Sequence, residues 1–344
     1  MDAVERIEKY LKIEMLRRDT LIAKKTVCAS PPNQIYVEPT NCCNLNCIMC
    51  TSKAVRGKPG ILKFEDWKKI IDQLHKHKLE FPITMIGRGE PLINKEMVNF
   101  VDYASKHNVP CYLITNGTLL TPDLSHALLK SGIKKVQFSL HAHSSSTYEK
   151  ITRKDKYDIV KSNILSFLEI NKSHGSTCFA SIMAVKSSIN KDEIDMFKEF
   201  WKDKVDRCFI TDVYSVQGDG GLSVEASKRT NVLKKHPGCV IPWYFLGFRY
   251  NGNVTICPFD FEEDFVVGKL SDDNFDILKI WNSAKARRFR TCHIKKDFSF
   301  TDSVNYPCKS CEVPRTVGNC KGIAEWISEF PTAFARQFAP LISK

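Results

Sequence analysis

Short apolar runs alternate with amphipathic helical patterns between residues 34 and 211, and this alternation constrains the fold more than any other feature. The runs cover residues 34–38, 83–86, 111–114, 135–139, 178–183 and 207–211, and the helical patterns cover residues 64–75, 95–107, 122–130, 157–171 and 191–202. Strands separated by helices predict a parallel sheet with helices on its outer face. Six strands are too few for a closed eight-stranded barrel, so we expect an α/β fold, a partial (β/α)6 TIM-like barrel.

The alternation ends after Thr211, and the next clear signal is a hairpin at residues 249–255 around Asn251 and Gly252. We therefore expect an N-terminal helical lead at residues 1–33, a barrel at 34–215, a small second domain at 236–325 and a tail at 326–344.

Composition excludes several other classes of protein. At 344 residues and 43% hydrophobic content, the chain can bury a sizeable core. No run approaches the roughly 18 apolar residues of a membrane span, and residues 1–19 are charged and amphipathic rather than a signal peptide. The net charge of +12 contains no dense basic run, which is typical of a solvated surface. A cytoplasmic protein is expected.

The chain has 14 cysteines, which in a reducing compartment point to metal binding or catalysis rather than disulfides. Cys43, Cys47 and Cys50 follow the first predicted strand in a C-x3-C-x2-C spacing. Three such thiolates can hold three corners of a cubane iron-sulfur cluster and leave the fourth iron open. The alternative, zinc, usually takes four ligands, and no histidine or fourth cysteine at suitable spacing completes this loop.

This spacing resembles the signature of the radical S-adenosylmethionine superfamily. The resemblance implies a [4Fe-4S] cluster whose open iron chelates S-adenosylmethionine, and reductive cleavage to a 5′-deoxyadenosyl radical that abstracts a substrate hydrogen. After the second strand, Gly87-Arg88-Gly89-Glu90-Pro91 is similar to the family's Gly-Gly-Glu-Pro motif. Gly89, Glu90 and Pro91 are thereby implied to bind the methionine amine, and Arg88 departs from the motif.

Three further positions follow later strands, where a parallel β/α barrel gathers its functional groups. Asn116 of Thr115-Asn116-Gly117 resembles the ribose- and adenine-side loop, and Ser139 matches a cofactor-binding serine of the family. Arg153 resembles an arginine that pairs with the methionine carboxylate. An ordinary surface arginine without a ligand is an alternative of equal weight. His141 departs from the family pattern. It is a candidate proton relay, and a packing histidine is the commoner case.

A second cysteine set comprises Cys239, Cys257, Cys308 and Cys311, which fits either structural zinc or a fully ligated [4Fe-4S] cluster. The pattern C-x(9-15)-G-x4-C resembles the SPASM/Twitch extension and implies an auxiliary iron-sulfur domain. In the full SPASM pattern, a third cysteine follows Cys308 and Cys311 after five residues, but this chain has Val317 at that position. The departure favours the Twitch arrangement with one auxiliary [4Fe-4S] cluster. Cys292 and Cys320 are candidates for a second, incomplete cluster or for a hydrogen-atom donor, with packing as the alternative.

The leading interpretation is a radical S-adenosylmethionine oxidoreductase that dehydrogenates a small natural-product precursor such as an amino sugar or cyclitol. Residues 1–33 are too short for an independent leader-binding domain, which favours this substrate. The alternative is epimerisation, cross-linking or oxidation of a ribosomal peptide. A flavodoxin- or ferredoxin-type electron donor is implied as a partner.

A zinc-binding, nucleic-acid-binding protein is the contrasting class. It does not explain why the motifs fall at the same ends of successive strands.

Overall fold

The computed structural model describes residues 3–50, 57–79, 81–212 and 238–299, together with Cys308 and Cys311. Within these ranges, no helix combines the length and the apolar character that a bilayer span requires. The tail predicted at residues 326–344 lies outside the described residues. So do the predicted boundaries at residues 215, 236 and 325, and the domain division stays a prediction.

The six predicted strands are present, and they form the parallel sheet that the sequence pattern indicated. They are β1 Gln34–Val37, β2 Ile83–Met85, β3 Cys111–Thr115, β4 Lys135–Ser139, β5 Phe179–Lys186 and β6 Arg207–Asp212. Neighbours in the chain are neighbours in the sheet, with Ile35 opposite Ile83, and Ile83 opposite Cys111. This order places the carboxyl ends of all six strands along one edge, where the sites of such folds lie.

Three more strands extend the same sheet beyond β1: β7 Phe245–Phe248, β8 Asn253–Thr255 and β9 Val266–Lys269. The strand order is β6-β5-β4-β3-β2-β1-β7-β8-β9, with β7 parallel to β1 and the β7–β8 and β8–β9 pairs antiparallel. The predicted hairpin at residues 249–255 is confirmed. All four residues of β7 are buried, as expected for a strand covered on both faces. The C-terminal region thus continues the sheet of the barrel.

Nine α-helices lie within the described residues, and they include the five that the sequence predicted between residues 64 and 202. They are α1 Ala3–Ile22, α2 Phe64–Lys76, α3 Met97–Lys106, α4 Pro122–Lys130, α5 Ser145–Thr152, α6 Tyr157–Ser173, α7 Ile194–Trp201, α8 Ile277–Trp281 and α9 Ala284–Lys295. The Thr121 hydroxyl accepts a hydrogen bond from the Leu124 N–H at the start of α4, as the Thr-Pro sequence predicts. Helix α5 was not predicted from the sequence.

Two buried arginines connect the first and the last of these helices to the segment that precedes β7. Arg17 of α1 donates from Nε to the Trp243 carbonyl at 2.8 Å and pairs with Glu14. Arg290 of α9 donates to the carbonyl oxygens of Pro242, Thr26 and Trp281 at 2.8–2.9 Å. Burial lowers the pKa of Arg290 to about 10. These bonds satisfy backbone acceptors that would otherwise be buried without a donor.

We expect Arg290→Met to lower the free energy of unfolding by about 3 kcal/mol or more, because several buried carbonyl oxygens lose their donor. Urea denaturation of the purified protein measures the change. Arg287→Met is the matched control, since Arg287 lies on the same helix and is exposed, and its effect should stay within about 0.5 kcal/mol. Equal effects of the two substitutions would contradict this assignment.

Candidate active site

The loop at residues 40–50, called here the cysteine loop, leaves the carboxyl end of β1 and is held at both ends. Near its start, the Thr40 hydroxyl donates to the Gly60 carbonyl at 2.6 Å. Near its end, the Asn46 and Ile48 N–H groups donate to the carbonyls of Thr152 and Ile151, the last residues of α5. The unpredicted helix α5 therefore fixes the half of the loop that carries Cys47 and Cys50.

The thiols of Cys43, Cys47 and Cys50 are half-buried. Cys43 and Cys47 both lie within electrostatic range of the Tyr148 hydroxyl, and burial raises the pKa of that tyrosine. The Cys50 N–H donates to the Cys47 carbonyl at 3.2 Å, which closes a tight turn between these two cysteines. The structure brings the three predicted cysteines together on one anchored loop.

The motif after β2 packs directly on the cysteine loop. A Cβ atom on Gly89 would lie 2.2 Å from the Cys42 carbonyl oxygen and 2.6 Å from that of Thr40, so only glycine fits there. The Glu90 N–H donates to the same Cys42 carbonyl at 2.8 Å, and Pro91, the next residue, is buried.

The buried Glu90 carboxylate joins the loops that follow β2 and β3. It accepts hydrogen bonds from the Thr115 hydroxyl and the Asn116 N–H, both at 2.7 Å, and from the Leu92 N–H at 3.1 Å. Burial raises the pKa of Glu90, and these hydrogen bonds oppose that shift. The Asn116 side chain in turn donates to Asn44 of the cysteine loop at 2.9 Å. The structure therefore brings Gly89, Glu90 and Asn116 together with the cysteine loop, while their binding of S-adenosylmethionine stays a prediction.

Two of the predicted residues lie elsewhere along the same edge of the sheet. Ser139, the last residue of β4, is half-buried and pairs in register with Met183 of β5. Arg153 is exposed, in the left-handed conformation that ends α5, and it does not line the cavity described below. Their predicted roles toward S-adenosylmethionine stay predictions.

A cavity of about 510 Å³ opens beside the cysteine loop, and Cys47, Cys50 and His141 line it. Six of its lining residues are tyrosines or phenylalanines: Tyr36, Tyr244, Phe245, Phe248, Phe259 and Phe261. The polar side chains Gln34, Glu38 and Arg249 complete part of the lining. The cysteine loop and the segment after Cys257 thus form two walls of one cavity, a mostly apolar pocket with few polar groups.

His141 stands in this wall with one ring nitrogen already engaged, because its Nδ1 accepts a hydrogen bond from the Val185 N–H at 3.2 Å. Burial lowers the pKa of His141 to about 4. The imidazole is therefore neutral at physiological pH, with its proton on Nε2. It can accept a proton only as a weak base, and the predicted proton relay stays a prediction.

Sequence reasoning missed an ion-pair cluster that crosses from β1 to the C-terminal segment. The Arg88 guanidinium donates to both oxygens of the buried Glu38 carboxylate at 2.8–2.9 Å. Its Nη1 donates to the Phe261 carbonyl at 2.8 Å, and Nη2, which also binds Glu38, donates to the Glu263 carboxylate at 2.6 Å. Such a bidentate, charge-assisted pair fixes geometry as well as energy. The available signal was Arg88 itself, a charged residue where the family motif has glycine.

All four cysteines of the second set lie within the part of the chain that the structure describes. Cys239 and Cys308 are buried, while Cys257 and Cys311 are half-buried. Burial and the nearby Cys311 raise the pKa of the Cys257 thiol. The Sγ atom of Cys308 lies 3.8 Å from Nε2 of His293, a buried residue that the sequence did not single out. Cys292 is buried in α9, where its thiol contacts the Arg288 carbonyl at 2.9 Å, and Cys320 lies outside the described residues.

The donor chemistry of both sets fits iron-sulfur clusters, since each set consists of thiols. Among the described side chains, no three Cys, His, Asp or Glu residues converge on one point as the ligands of a single metal ion do. Each thiolate of a cubane binds a different iron atom, so the cysteines of a cluster are spread around it.

Comparison with known proteins agrees with this geometry. Residues 37–200 match the model of the radical SAM superfamily, and residues 239–312 match that of an iron-sulfur cluster-binding domain, SPASM. A relative is the mycofactocin maturase MftC of Mycolicibacterium smegmatis, 31% identical over 160 residues, which are 46% of this chain and 39% of MftC. The matched region thus spans well under half of that relative.

Two solved structures share the fold. One is BtrN in complex with AdoMet and 2-DOIA, with 20% identity and a TM-score of 0.51 over 81% of this chain and 92% of BtrN. The other is Streptococcus suis SuiB bound to the precursor peptide SuiA, with 17% identity and a TM-score of 0.59 over 75% of this chain and 66% of SuiB.

We expect Gly89→Ala to disrupt the cysteine loop, because the new Cβ would clash with two backbone carbonyls that cannot move independently. Iron bound after anaerobic reconstitution should fall by about half if only this cluster site is lost. Gly175→Ala is the control. Like any glycine with a positive φ, here +77°, Gly175 disfavours a side chain for backbone reasons, but a Cβ there would contact nothing within 4 Å. It therefore controls for the loss of a glycine without a steric clash. Unchanged iron in the Gly89 variant would contradict the close packing described above.

We expect the neutral His141 to make stability depend on pH. Its pKa is lower in the folded chain, so its contribution is complete above about pH 6.5 and declines as the pH falls toward 4. Between pH 7.5 and 5.5, the wild type should lose about 1 kcal/mol of unfolding free energy through this group. His141→Gln should lose correspondingly less in urea titrations at the two pH values. Equal losses would show that His141 is not buried in its neutral form.

Proposed function

Because this chain belongs to the radical S-adenosylmethionine superfamily and carries a SPASM domain, we propose that it is an enzyme that modifies an apolar or aromatic residue of a ribosomal peptide. The chain binds S-adenosylmethionine and a [4Fe-4S] cluster, and its C-terminal domain binds auxiliary iron-sulfur. Family membership favours iron-sulfur over the zinc alternative at both cysteine sets.

In this proposal Cys43, Cys47 and Cys50 hold the first cluster, and Cys239, Cys257, Cys308 and Cys311 hold one auxiliary cluster. When bound, the first cluster and S-adenosylmethionine supply a 5′-deoxyadenosyl radical that abstracts a hydrogen atom from the substrate. The chain itself anchors the cysteine loop, through Gly89 behind it and through the last turn of α5.

The observation that carries the proposal is that the two cysteine regions share one cavity. Cys47 and Cys50 line one side of it, and the segment that directly follows Cys257 lines another, through Pro258, Phe259 and Phe261. A substrate held there would lie between the two predicted clusters. The aromatic walls exclude water from the reacting atoms, which protects a radical from side reactions.

The character of the walls favours the peptide alternative over the small polyol that the sequence favoured. A buried hydroxyl without a hydrogen-bond partner costs about 1–3 kcal/mol, and a cyclitol or amino sugar carries several. Six aromatic rings line the cavity, and they complement an apolar or aromatic side chain. The names of two similar proteins also support a peptide substrate: MftC is a maturase, and SuiB was solved with a precursor peptide.

A small molecule is the second candidate, and the polar part of the lining favours it. Gln34, Glu38, His141 and Arg249 could hydrogen-bond a compact polar substrate. The shared fold with BtrN, which was solved with AdoMet and 2-DOIA, is consistent with this candidate.

We expect Cys47→Ala to abolish formation of 5′-deoxyadenosine, because two thiolates cannot hold the cluster that keeps one iron open. Cys178→Ala is the matched control: Cys178 is equally a cysteine and is buried in the barrel core, so its variant should retain cleavage. Cys308→Ala should retain cleavage and lose turnover of the substrate. Anaerobic assays with dithionite and S-adenosylmethionine measure the nucleoside by chromatography. Cleavage that survives in the Cys47 variant would refute the proposed role of the cysteine loop.

A further inference from the structure

A buried guanidinium stands in the wall of the cavity. Arg249 directly follows β7 and is 6% exposed. Its backbone is fixed by the hairpin, since its N–H donates to the Asn253 carbonyl at 2.8 Å and its own carbonyl accepts from the Gly252 N–H at 2.9 Å. One arm of the side chain, Nη2, donates to the Asp260 carbonyl at 2.7 Å. Arg249 is therefore placed rigidly.

The nearest carboxylate does not hydrogen-bond Arg249, because Arg88 already occupies it. Oε1 of Glu38 accepts from both the N–H and Nε of Arg88, at 2.7 and 2.9 Å, and Oε2 accepts from its Nη2 at 2.8 Å. Nη1 of Arg249 lies 3.9 Å from Glu38, which is ion-pair range but beyond a hydrogen bond. The Nε–H of Arg249 is buried and has no acceptor in the described part of the chain.

A buried donor without an acceptor costs about 1–3 kcal/mol, and Arg249, the residue that carries this donor, lines the cavity. A ligand oxygen that enters beside this side chain can supply the missing acceptor. The same cavity is also lined by the aromatic residues Phe248, Phe259 and Phe261. The site thus combines one fixed N–H donor of positive charge with an apolar surface. This combination fits a ligand that carries an oxygen acceptor beside an apolar or aromatic group.

We propose that Arg249 binds a backbone carbonyl or carboxylate oxygen of the substrate, while the neighbouring phenylalanines contact the adjacent apolar side chain. This inference rests on the proposed function, since it takes the cavity as the substrate site. Arg88 acts here as a positioning residue, because it occupies Glu38 and also ties the Phe261 carbonyl in place. S-adenosylmethionine also carries a carboxylate, so the test distinguishes these two sources of the acceptor.

The test uses reconstituted protein with S-adenosylmethionine and two fluorinated probes observed by ¹⁹F NMR. N-acetyl-4-fluoro-L-phenylalanine amide carries carbonyl oxygens, and 1-ethyl-4-fluorobenzene carries none. The wild type should bind the amide probe at least about tenfold more tightly, as expected for a hydrogen bond from a charged donor. Equal affinities, or no binding of the amide probe, would overturn the proposal whether or not any variant folds.

Variants then assign the effect to Arg249. Arg249→Gln should remove the preference for the amide probe, and Arg249→Lys, which keeps the charge but lacks the Nε–H, should reduce it. Arg287→Gln, an exposed arginine of α9, is the control and should bind both probes as the wild type does. Thermal melts and iron content confirm that each variant is folded and loaded.

Three outcomes separate the possible failures. If the Arg249 variants weaken the binding of S-adenosylmethionine and leave the amide probe unaffected, the acceptor belongs to the cofactor and the substrate assignment is wrong. If the wild type cleaves S-adenosylmethionine but lacks the probe preference, only this inference fails. If the reconstituted wild type cleaves no S-adenosylmethionine under strongly reducing conditions, the proposed function fails, and this inference fails with it.

Discussion

The buried pair of Glu38 and Arg88 is the interaction on which the arrangement of the cavity depends. Glu38 directly follows β1, close to the start of the cysteine loop, and Arg88 belongs to the motif that packs on that loop. The same guanidinium holds Phe261 and Glu263 of the C-terminal segment. Separating these segments would leave a buried charge without its partner, which is costly. The pair therefore holds together the chain after β1, the loop after β2 and the C-terminal segment. The wall of the cavity is therefore built jointly by the barrel and the C-terminal region.

A second constraint is the close packing of backbones behind the cysteines. Gly89 allows the loop after β2 to touch the carbonyls of Thr40 and Cys42, and Glu90 connects that loop to the turn at Asn116. Three successive strand ends are thus joined by hydrogen bonds that leave the thiols half-buried beside the cavity. Such support keeps reactive groups in place before any ligand arrives, which is what chemistry on a radical requires of the protein.

Local patterns were sufficient to predict most of the barrel, because strands and helices there follow the periods of 2 and 3.6 residues. Helix α4 and strand β4 have the bounds that the sequence indicated. The pairing of β7 with β1 was not predictable in this way, since it joins residues about 210 positions apart and no local signal records it. The partners of Arg88 were missed for the same reason: Glu38 and Glu263 are distant in sequence. The cysteine sets were found because their spacing is itself the signal.

In the proposed arrangement, two separate cysteine sets hold two iron-sulfur clusters around one cavity. Iron and acid-labile sulfide, measured per chain after anaerobic reconstitution, test it most directly when the wild type is compared with a Cys43→Ala, Cys47→Ala, Cys50→Ala triple variant. We expect about eight irons per chain in the wild type and about four in the variant, since each cubane holds four. Equal iron in both proteins, or zinc in place of iron at the second site, would contradict it.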